Sequence, residues 1–315
     1  MEAEWPHKQA VRIVTSPVQA VTPAAIALGN FDGVHRGHQE VIRPILDDAC
    51  LPGLPTVVTF DPHPREFFSG ERRLLLTPQA EKAAFLAALG IKQWILLRFN
   101  RQLAALSPEA FVAEILAAQL QATCVSVGKD FHFGKQRAGT AQDLKELCQG
   151  FEIDTRIVDL AKDSGDRISS SRIRQALTAG DIATAHDLLG RDYMLTGTVV
   201  TGQQLGREIG FPTANLQVPA EKFLPRHGVY SVRVSGPGLP EILGVMNLGC
   251  RPTVNGQGPT LEVHLLDWSG DLYGQDLTVR LQQFLRAEQK FPSLSALKTQ
   301  IAADCEAARS ALATC

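Results

Sequence analysis

The chain has 315 residues, of which 44% are hydrophobic, and its 31 Lys+Arg and 33 Asp+Glu give a formal charge of −2. At roughly 150 residues per domain, this length predicts two domains, each large enough to bury its own core. Positive and negative residues are balanced and spread along the chain. The chain therefore lacks the excess of basic residues that is typical of nucleic-acid-binding proteins, and the composition argues against that class.

The amino terminus and the cysteines bear on where the protein works. Residues 1–6 lack a basic stretch followed by an apolar core, and no apolar run approaches the about 20 residues of a membrane span. The six cysteines lie far apart without a CxxC pair, which argues against a zinc ribbon and a disulfide framework. We therefore expect a soluble cytoplasmic enzyme without a signal peptide or a membrane partner.

Short apolar runs alternate with helical patterns up to about residue 185. This alternation predicts an α/β Rossmann-like domain on a buried parallel sheet, in which ligands bind at the carboxyl ends of the strands. Pro44 predicts a kink or an early stop in the helix after His38. The predicted strands lie at 24–28, 55–60, 93–97 and 124–127, and predicted helices lie at 77–89 and 108–120.

After residue 190 the strand-like runs follow one another with little helix between them. This pattern, with Gly/Pro turns, predicts a small antiparallel β-barrel, followed by a final helix that Ser293 or Ser295 caps and that runs to about Leu312. We place the domain boundary near residue 187, giving domains 1–187 and 188–315. The predicted barrel strands are 194–200, 229–234, 242–248, 260–266 and 277–284.

The run GNFDGVHRGH at 29–38 directly follows the first predicted strand and opens a helix. Its three glycines allow a tight turn and a close approach to a ligand, and a helix start directs N–H groups at an anion. His35 and His38 are three residues apart, so both imidazoles can face one side of the turn. The run predicts a nucleotide-phosphate site for phosphoryl or nucleotidyl transfer.

Two other interpretations of these histidines remain open at this point. A histidine on a helix is commonly structural or solvent-facing. Alternatively, His35 and His38 are metal ligands, with Asp61 and His63 completing the set.

Two segments of the second half carry polar groups suited to a kinase. In the PTAN tetrapeptide, the Thr213 hydroxyl and the Asn215 amide face the same side if extended, and both offer oxygen ligands for Mg²⁺ bound to ATP. In the run at 261–266, period-2 alternation puts Glu262 and His264 on one face, where a carboxylate can serve as general base. The plain alternatives are a turn leading into a strand and an exposed strand charge.

The run at 29–38 resembles the HxGH signature of the nucleotidyltransferase superfamily. Its residues are similar to the form of this signature in the bacterial riboflavin kinase/FMN adenylyltransferase (FAD synthetase) family. TFDPHP at 59–64, VGKDFHFG at 127–134 and ISSSRIR at 168–174 agree with that family. The PTAN and Glu-Val-His segments resemble its riboflavin kinase module. The resemblance extends from about residue 22 to the C-terminal helix.

The resemblance implies roles for residues of the first domain. His35, His38 and Arg174 would act in adenylyl transfer, and Asp61 and His63 would contact the flavin. His132 departs from an expected Arg, and Thr140 from an expected acidic residue. The implied nucleotide-binding residues are Gly29, Asn30, Phe31, Asp32, Gly33, Asp130, Ser170, Ser171 and Arg172.

The resemblance also implies roles in the barrel. Glu262 would deprotonate the ribityl 5′-hydroxyl, while Thr213 and Asn215 would hold Mg²⁺ with ATP. Arg286 and Phe291 match the module's LRxExxF segment and would lie near the flavin. Further nucleotide-binding residues are Gly206, Gly210 and Pro212.

The implied activity has two steps: riboflavin and ATP give FMN, and then FMN and ATP give FAD and pyrophosphate. The implied partners are these small molecules and Mg²⁺, with no nucleic acid. Three alternatives remain: a nucleotidyltransferase for another phosphate ester with an unrelated barrel, a flavin-binding module without catalysis, and a metal-dependent regulator using His35, His38 and His63.

Overall fold

The computed structural model describes residues 10–47, 52–159, 161–163, 165–202, 206, 209–253 and 256–313. The chain forms two compact units, residues 1–170 and 171–315. The domain boundary expected near residue 187 stays a prediction. In the described ranges, no helix has the length and apolar character needed to cross a membrane.

The first unit is built on a six-stranded parallel sheet with the strand order β1-β4-β3-β2-β5-β8. The predicted parallel sheet is confirmed, although the short strands β1 and β8 escaped the sequence analysis. The strands are β1 Arg12–Val14, β2 Ala24–Leu28, β3 Leu54–Asp61, β4 Gln93–Arg98, β5 Ala122–Gly128, β6 His132–Phe133, β7 Gly139–Thr140, β8 Asp154–Val158, β9 Lys162–Asp163 and β10 Asp166–Arg167.

The central strand β2 is buried along its whole length and serves two cores. Ala24, Ile26 and Leu28 belong to one apolar cluster, and Ala25 and Ala27 belong to another. Successive side chains of a strand point to opposite faces, so these clusters are the two layers packed on the sheet. This explains why the strand reads as an unbroken apolar run.

Helices connect the strands of this sheet. The first of them ends at Ile42 and passes into a 3₁₀ turn at Arg43–Leu46, so the predicted early stop at Pro44 is confirmed. The helices of the first unit are α1 Arg36–Ile42, α2 Pro64–Ser69, α3 Gln79–Ala88, α4 Arg101–Ala105, α5 Pro108–Ala110 continued by a π-helical segment Phe111–Gln119, and α6 Ala141–Gln149. Two further helices, α7 Ser170–Ala179 and α8 Ile182–Leu189, follow the last strand of the sheet and precede the barrel strands.

The second unit contains a closed antiparallel barrel with the strand order β11-β12-β15-β14-β13-β16, as predicted. β12 was not among the predicted strands, because its sequence ANLQ has a single large apolar residue. The last helix, α9 Leu294–Ala313, has Ser293 Oγ accepting from Ala296 N at 3.1 Å, which confirms the predicted cap. The barrel strands are β11 Met194–Val200, β12 Ala214–Gln217, β13 Gly228–Gly236, β14 Leu239–Thr253, β15 Gly256–Leu265 and β16 Asp276–Arg286.

Candidate active sites

The turn between β2 and α1 has an unusual backbone. Phe31 and Val34 have φ angles of 47° and 39°, and Gly33 has φ 93°. The Phe31 side chain is 2% exposed, and a Cβ on Gly29 would come within 3.0 Å of its ring. A larger residue at position 29 would therefore require the aromatic ring that supports the turn to shift by a few tenths of an ångström.

The two histidines of this turn form a stacked pair. Their ring centroids are 3.5 Å apart with an interplanar angle of 15°, and the edge of Phe31 packs against His38 at 5.3 Å. His35 is 4% exposed and caps α1, its Nδ1 accepting from His38 N at 3.2 Å. Because Nδ1 accepts, a neutral His35 carries its proton on Nε2. The structure thus brings the two imidazoles together on one side of the turn.

Residues distant in sequence hold the Asp32 segment of this turn. Thr77 N donates to Asp32 Oδ1 at 3.2 Å, and Gly33 N donates to Thr77 Oγ1 at 2.9 Å. Ser170 Oγ, at the start of α7, donates to Asp32 O at 2.8 Å. The sequence analysis missed Thr77, which has no local signal and acts across 44 residues of chain.

Lys82 is a second supporting residue that the sequence analysis missed. Its side chain is 8% exposed, and its Nζ donates to Asn30 O at 3.0 Å and lies 5.5 Å from the centroid of the Trp94 ring. Burial lowers the pKa of Lys82, while the carboxylates of Asp32 and Asp61 oppose that shift. The one available signal was a lysine within the apolar pattern of the predicted helix at 77–89.

His63 is fixed at the start of α2. Its Nδ1 accepts from Arg65 N at 3.0 Å, and Glu66 Oε2 accepts from His63 N at 3.2 Å, which forms a capping box. Arg73 Nη1 lies 3.3 Å from His63 Nε2. Burial, with the nearby Arg73 guanidinium, lowers the pKa of His63 to about 4, so this imidazole is neutral near pH 7.

The geometry around His63 argues against the alternative metal site. Both of its ring nitrogens face N–H groups, and the Arg73 guanidinium would repel a cation there. Asp61 is exposed at the end of β3, where its carbonyl oxygen accepts from Phe99 N at 2.8 Å. Within the described ranges, no three His, Cys, Asp or Glu side chains are grouped so as to hold a metal ion.

Asp130 lies in the loop after β5, opposite the β9–β10 hairpin. Its carboxylate pairs with Arg167 at 2.5 Å, and its carbonyl oxygen accepts from His132 Nδ1 at 2.9 Å. At the other side of the hairpin, Asp163 lies 3.7 Å from the Arg36 guanidinium in the first turn of α1. The hairpin therefore links the Asp130 loop to α1, the helix that His35 caps and that contains His38.

Thr140, which departs from the acidic residue expected there, has a structural role. Its Oγ1 accepts from Asp143 N at 3.2 Å, and Asp143 Oδ2 accepts from Thr140 N at 2.8 Å. This capping box starts α6. Both threonine and aspartate are good helix caps, so the departure is compatible with an unchanged local fold.

The late loop divides between the two units. Ser170 contacts the histidine turn through Asp32, whereas Ser171, Arg172 and Arg174 belong to the second unit. There the Arg174 guanidinium lies 5.6 Å from the Phe223 ring centroid. Phosphate contacts by these arginines stay predictions.

In the barrel, strand register brings three polar side chains together. Glu262 of β15 lies opposite Asn215 of β12 on one side and opposite Asn247 of β14 on the other. Directly opposed residues of antiparallel strands point to the same face. The alternating residues of β15, Leu261 and Val263, are buried, which confirms the predicted two-faced strand. Asn247 was missed, although an amide inside the apolar run at 242–248 was a usable signal.

The PTAN segment lies against the backbone of the loop that precedes it. Ala214 is buried, while Thr213 and Asn215 on either side of it are half-buried, as expected for two side chains on the same side of an extended chain. A Cβ on Gly202 would overlap the carboxamide of Asn215, and one on Gly206 would lie 3.3 Å from Thr213 Oγ1. Gly210 turns the chain with φ 90° before Pro212. These glycines let the loop approach the polar side chains closely.

Gly202→Ala is expected to lower the rate of the reaction that the resemblance implies for the barrel by at least about tenfold, because the new methyl group displaces the carboxamide of Asn215, one of its implied Mg²⁺ ligands. Steady-state assays of both partial reactions check this, and only the barrel reaction is expected to change. Gly150→Ala is the matched control, since its Cβ would meet only a carbonyl oxygen at 3.5 Å. Equal rates for Gly202→Ala and the wild type would contradict the close approach.

Arg286 ties the end of β16 to the C-terminal helix. Its Nε and Nη2 donate to the Asp304 carboxylate at 2.9 and 2.7 Å, and Gln300 Nε2 donates to the same carboxylate at 2.9 Å. The Arg286 guanidinium also lies 5.7 Å from the Phe291 ring centroid. Asp304 is only 5% exposed, so this fork is a structural contact. Flavin contacts by Arg286 and Phe291 stay predictions.

A cavity of about 350 Å³ lies between the end of β15 and α9. Its walls combine apolar and charged groups, and His264 links it to the PTAN segment because His264 Nδ1 is 2.8 Å from Pro212 O. The sequence analysis did not find this cavity, which depends on how α9 packs on the barrel. Its lining includes Phe211, His264, Leu266, Ala302, Cys305 and Arg309.

Comparison with known proteins identifies both units. The sequence model of the FAD synthetase family matches residues 18–172, and that of the riboflavin kinase family matches residues 189–312. The chain is therefore an enzyme that transfers phosphorus-containing groups to flavins. The second match also contradicts the alternative of an unrelated barrel.

Curated relatives and a solved structure agree over almost the whole length. Proteins called bifunctional riboflavin kinase/FMN adenylyltransferase are 45% identical in Pseudomonas fluorescens (90% of this chain, 91% of the relative), 41% in Escherichia coli K12 (89% and 90%) and 35% in Bacillus subtilis (89% and 90%). A crystal structure described as a macrolide-efflux protein from Streptococcus pneumoniae is 32% identical with a TM-score of 0.85, over 96% of this chain and 99% of that one.

The chain belongs to the family of bifunctional riboflavin kinases/FMN adenylyltransferases. It phosphorylates riboflavin with ATP to give FMN, and it then adenylylates FMN with a second ATP to give FAD and pyrophosphate.

Proposed function

We propose that Glu262, Asn215 and Thr213 form the riboflavin kinase site of the barrel. The observation that carries this proposal is the register that sets Asn215 directly opposite Glu262. An alcohol is a weak nucleophile until it loses its proton, and a carboxylate within reach can take that proton. Glu262 accepts the proton of the ribityl 5′-hydroxyl as its oxygen bonds to the γ-phosphorus of ATP, and the bond from that phosphorus to the departing ADP oxygen breaks.

The donors on this face of the barrel fit a magnesium ion held with ATP. A hydroxyl and a carboxamide oxygen are hard ligands of the kind Mg²⁺ prefers, and Thr213 and Asn215 present them on one side of the chain. The ion would supply neutralisation of the charge on the transferred phosphate. The backbone at Gly206, Gly210 and Pro212 would follow the nucleotide.

We further propose that the stacked pair of His35 and His38 contacts the ATP phosphates in adenylyl transfer. The FMN phosphate is already an anionic nucleophile, so this step requires charge stabilisation rather than a strong base. The rest of the turn, with Asp130 and the late loop, binds the nucleotide. These residues are Gly29, Asn30, Phe31, Asp32, Gly33, Asp130, Ser170, Ser171, Arg172 and Arg174, and Asp61 and His63 face the flavin.

The enzyme is proposed to be cytoplasmic and to act on small molecules, without a nucleic-acid or membrane partner. The balanced charge argues against a nucleic-acid partner, and the scattered cysteines argue against a disulfide framework. Domains 1–187 and 188–315 are proposed to carry the two reactions.

Incubation of the protein with riboflavin, ATP and Mg²⁺, followed by chromatography, is expected to yield FMN and FAD. Excess EDTA is expected to stop both steps, because ATP phosphates need charge neutralisation for transfer, and added Mg²⁺ should restore them. The control is the same amount of EDTA that has been saturated with Mg²⁺ before it is added. Unchanged product formation in EDTA would refute the proposed metal requirement.

A further inference from the structure

His264 is placed to extend the pairing of β12 with β15. The backbone pairs run from Asn215 and Glu262 to Ala214 and Val263. Continuing this register by one residue sets Thr213 opposite His264. At this point the imidazole Nδ1 lies 2.8 Å from the carbonyl oxygen of Pro212. A carbonyl oxygen only accepts hydrogen bonds, so His264 Nδ1 carries the hydrogen.

The imidazole of His264 makes a hydrogen bond to this segment at a position where the backbone of Pro212 cannot donate one. Pro212 has no N–H and cannot donate to a neighbouring strand. The edge of the Phe211 ring packs against the imidazole, with centroids 5.5 Å apart at 80°. Phe211 N donates to Gly206 O at 2.8 Å on the loop side. The barrel side of the segment that precedes Thr213 is therefore held by the side chain of His264.

We propose that His264 is a positioning residue of the riboflavin kinase site. Its Nδ1–H fixes the Pro212 carbonyl group and so sets the Thr213 hydroxyl and the Asn215 amide against Glu262. This inference rests on the proposed function of those three residues. His264 takes no part in proton transfer, and its Nε2 is not needed for the reaction.

Three substitutions distinguish the contribution of Nδ1 of His264 from that of Nε2. In His264→Asn the side-chain amide nitrogen occupies the place of Nδ1, in His264→Gln it reaches the place of Nε2, and His264→Leu has neither donor. We expect the Gln and Leu variants to raise KM for ATP about tenfold at saturating Mg²⁺, the effect of one positioning hydrogen bond. The Asn variant should stay within about threefold of the wild type.

The same proteins carry their own controls. Conversion of FMN to FAD should remain at the wild-type rate in all three variants, and their thermal unfolding should remain cooperative. Rescue by Gln but not by Asn would overturn the proposal, since the important contact would then involve Nε2. An unchanged KM in the Leu variant, or equal losses in all three variants, would overturn it as well.

A measurement without substrates tests the hydrogen bond directly. In the ¹⁵N-histidine-labelled protein, without nucleotide or metal ion, we expect the Nδ1–H tautomer for His264, assigned by the signal that the Asn variant loses. An Nε2–H tautomer would contradict the inference. The proposed kinase site is tested separately. If Glu262→Gln leaves riboflavin phosphorylation intact, that site assignment is wrong, whatever the tautomer of His264.

Discussion

Glu262→Gln is expected to abolish the formation of FMN from riboflavin, with a fall in kcat of about three orders of magnitude. Glutamine keeps the size of the side chain and its place opposite Asn215, but its amide cannot take a proton from the ribityl hydroxyl. The conversion of added FMN to FAD should continue at the wild-type rate, because a phosphate needs no such base. Chromatography of the flavins with each substrate in turn measures both steps.

Glu241→Gln provides the matched control for this experiment. Glu241 also lies on a barrel strand, but it is exposed and pairs with Arg233 at 3.2 Å and with Arg280. Its loss is expected to leave FMN formation unchanged, since exposed ion pairs contribute less than about 1 kcal/mol to the free energy of unfolding. Substantial FMN formation by a folded Glu262→Gln protein would show that another group removes the proton.

His38→Ala is expected to have the opposite effect. Removal of one donor to a phosphate in the transition state typically costs about a hundredfold or more in rate, so FAD formation from FMN should fall by that factor. Riboflavin phosphorylation should persist, and FMN should accumulate. Incubation of the His38→Ala protein with riboflavin, ATP and Mg²⁺ is sufficient to detect this accumulation of FMN.

The stacking of His38 on His35 calls for a second variant. His38→Gln retains an amide that can donate to phosphate, so it should recover part of the rate that His38→Ala loses. His227→Ala, at an exposed histidine of the second unit, is the control and should leave FMN adenylylation intact. If folded His38→Ala and Glu262→Gln proteins each lost both reactions, the assignment of two separate sites would be wrong.

Local patterns allowed the sequence to predict much of the local geometry at both candidate sites. The turn from β2 into α1 is encoded within ten residues, so the pairing of His35 with His38 follows from their spacing. The two faces of β15 follow from strict alternation at Leu261 to Leu265. In both cases neighbouring residues along the chain determine the geometry.

Long-range packing accounts for what the sequence did not reveal. Lys82 reaches the carbonyl oxygen of Asn30 from 52 residues away, and Asn247 joins Glu262 only through the pairing of β14 with β15. The cavity beside α9 likewise depends on where a helix packs against a finished barrel. No periodicity in a single segment reports such contacts, because each depends on the docking of two elements.

The carboxylate of Glu262 has an asparagine on each neighbouring strand, and this arrangement ties the proposed general base to the hydrogen-bond frame of the barrel. Sliding β15 by one position would turn the carboxylate inward and push a leucine out to the substrates. A single-residue insertion within β15 is thus expected to separate Glu262 from Asn215 and Asn247. The same register that closes the barrel therefore keeps the proposed base on the face that carries Asn215 and Asn247.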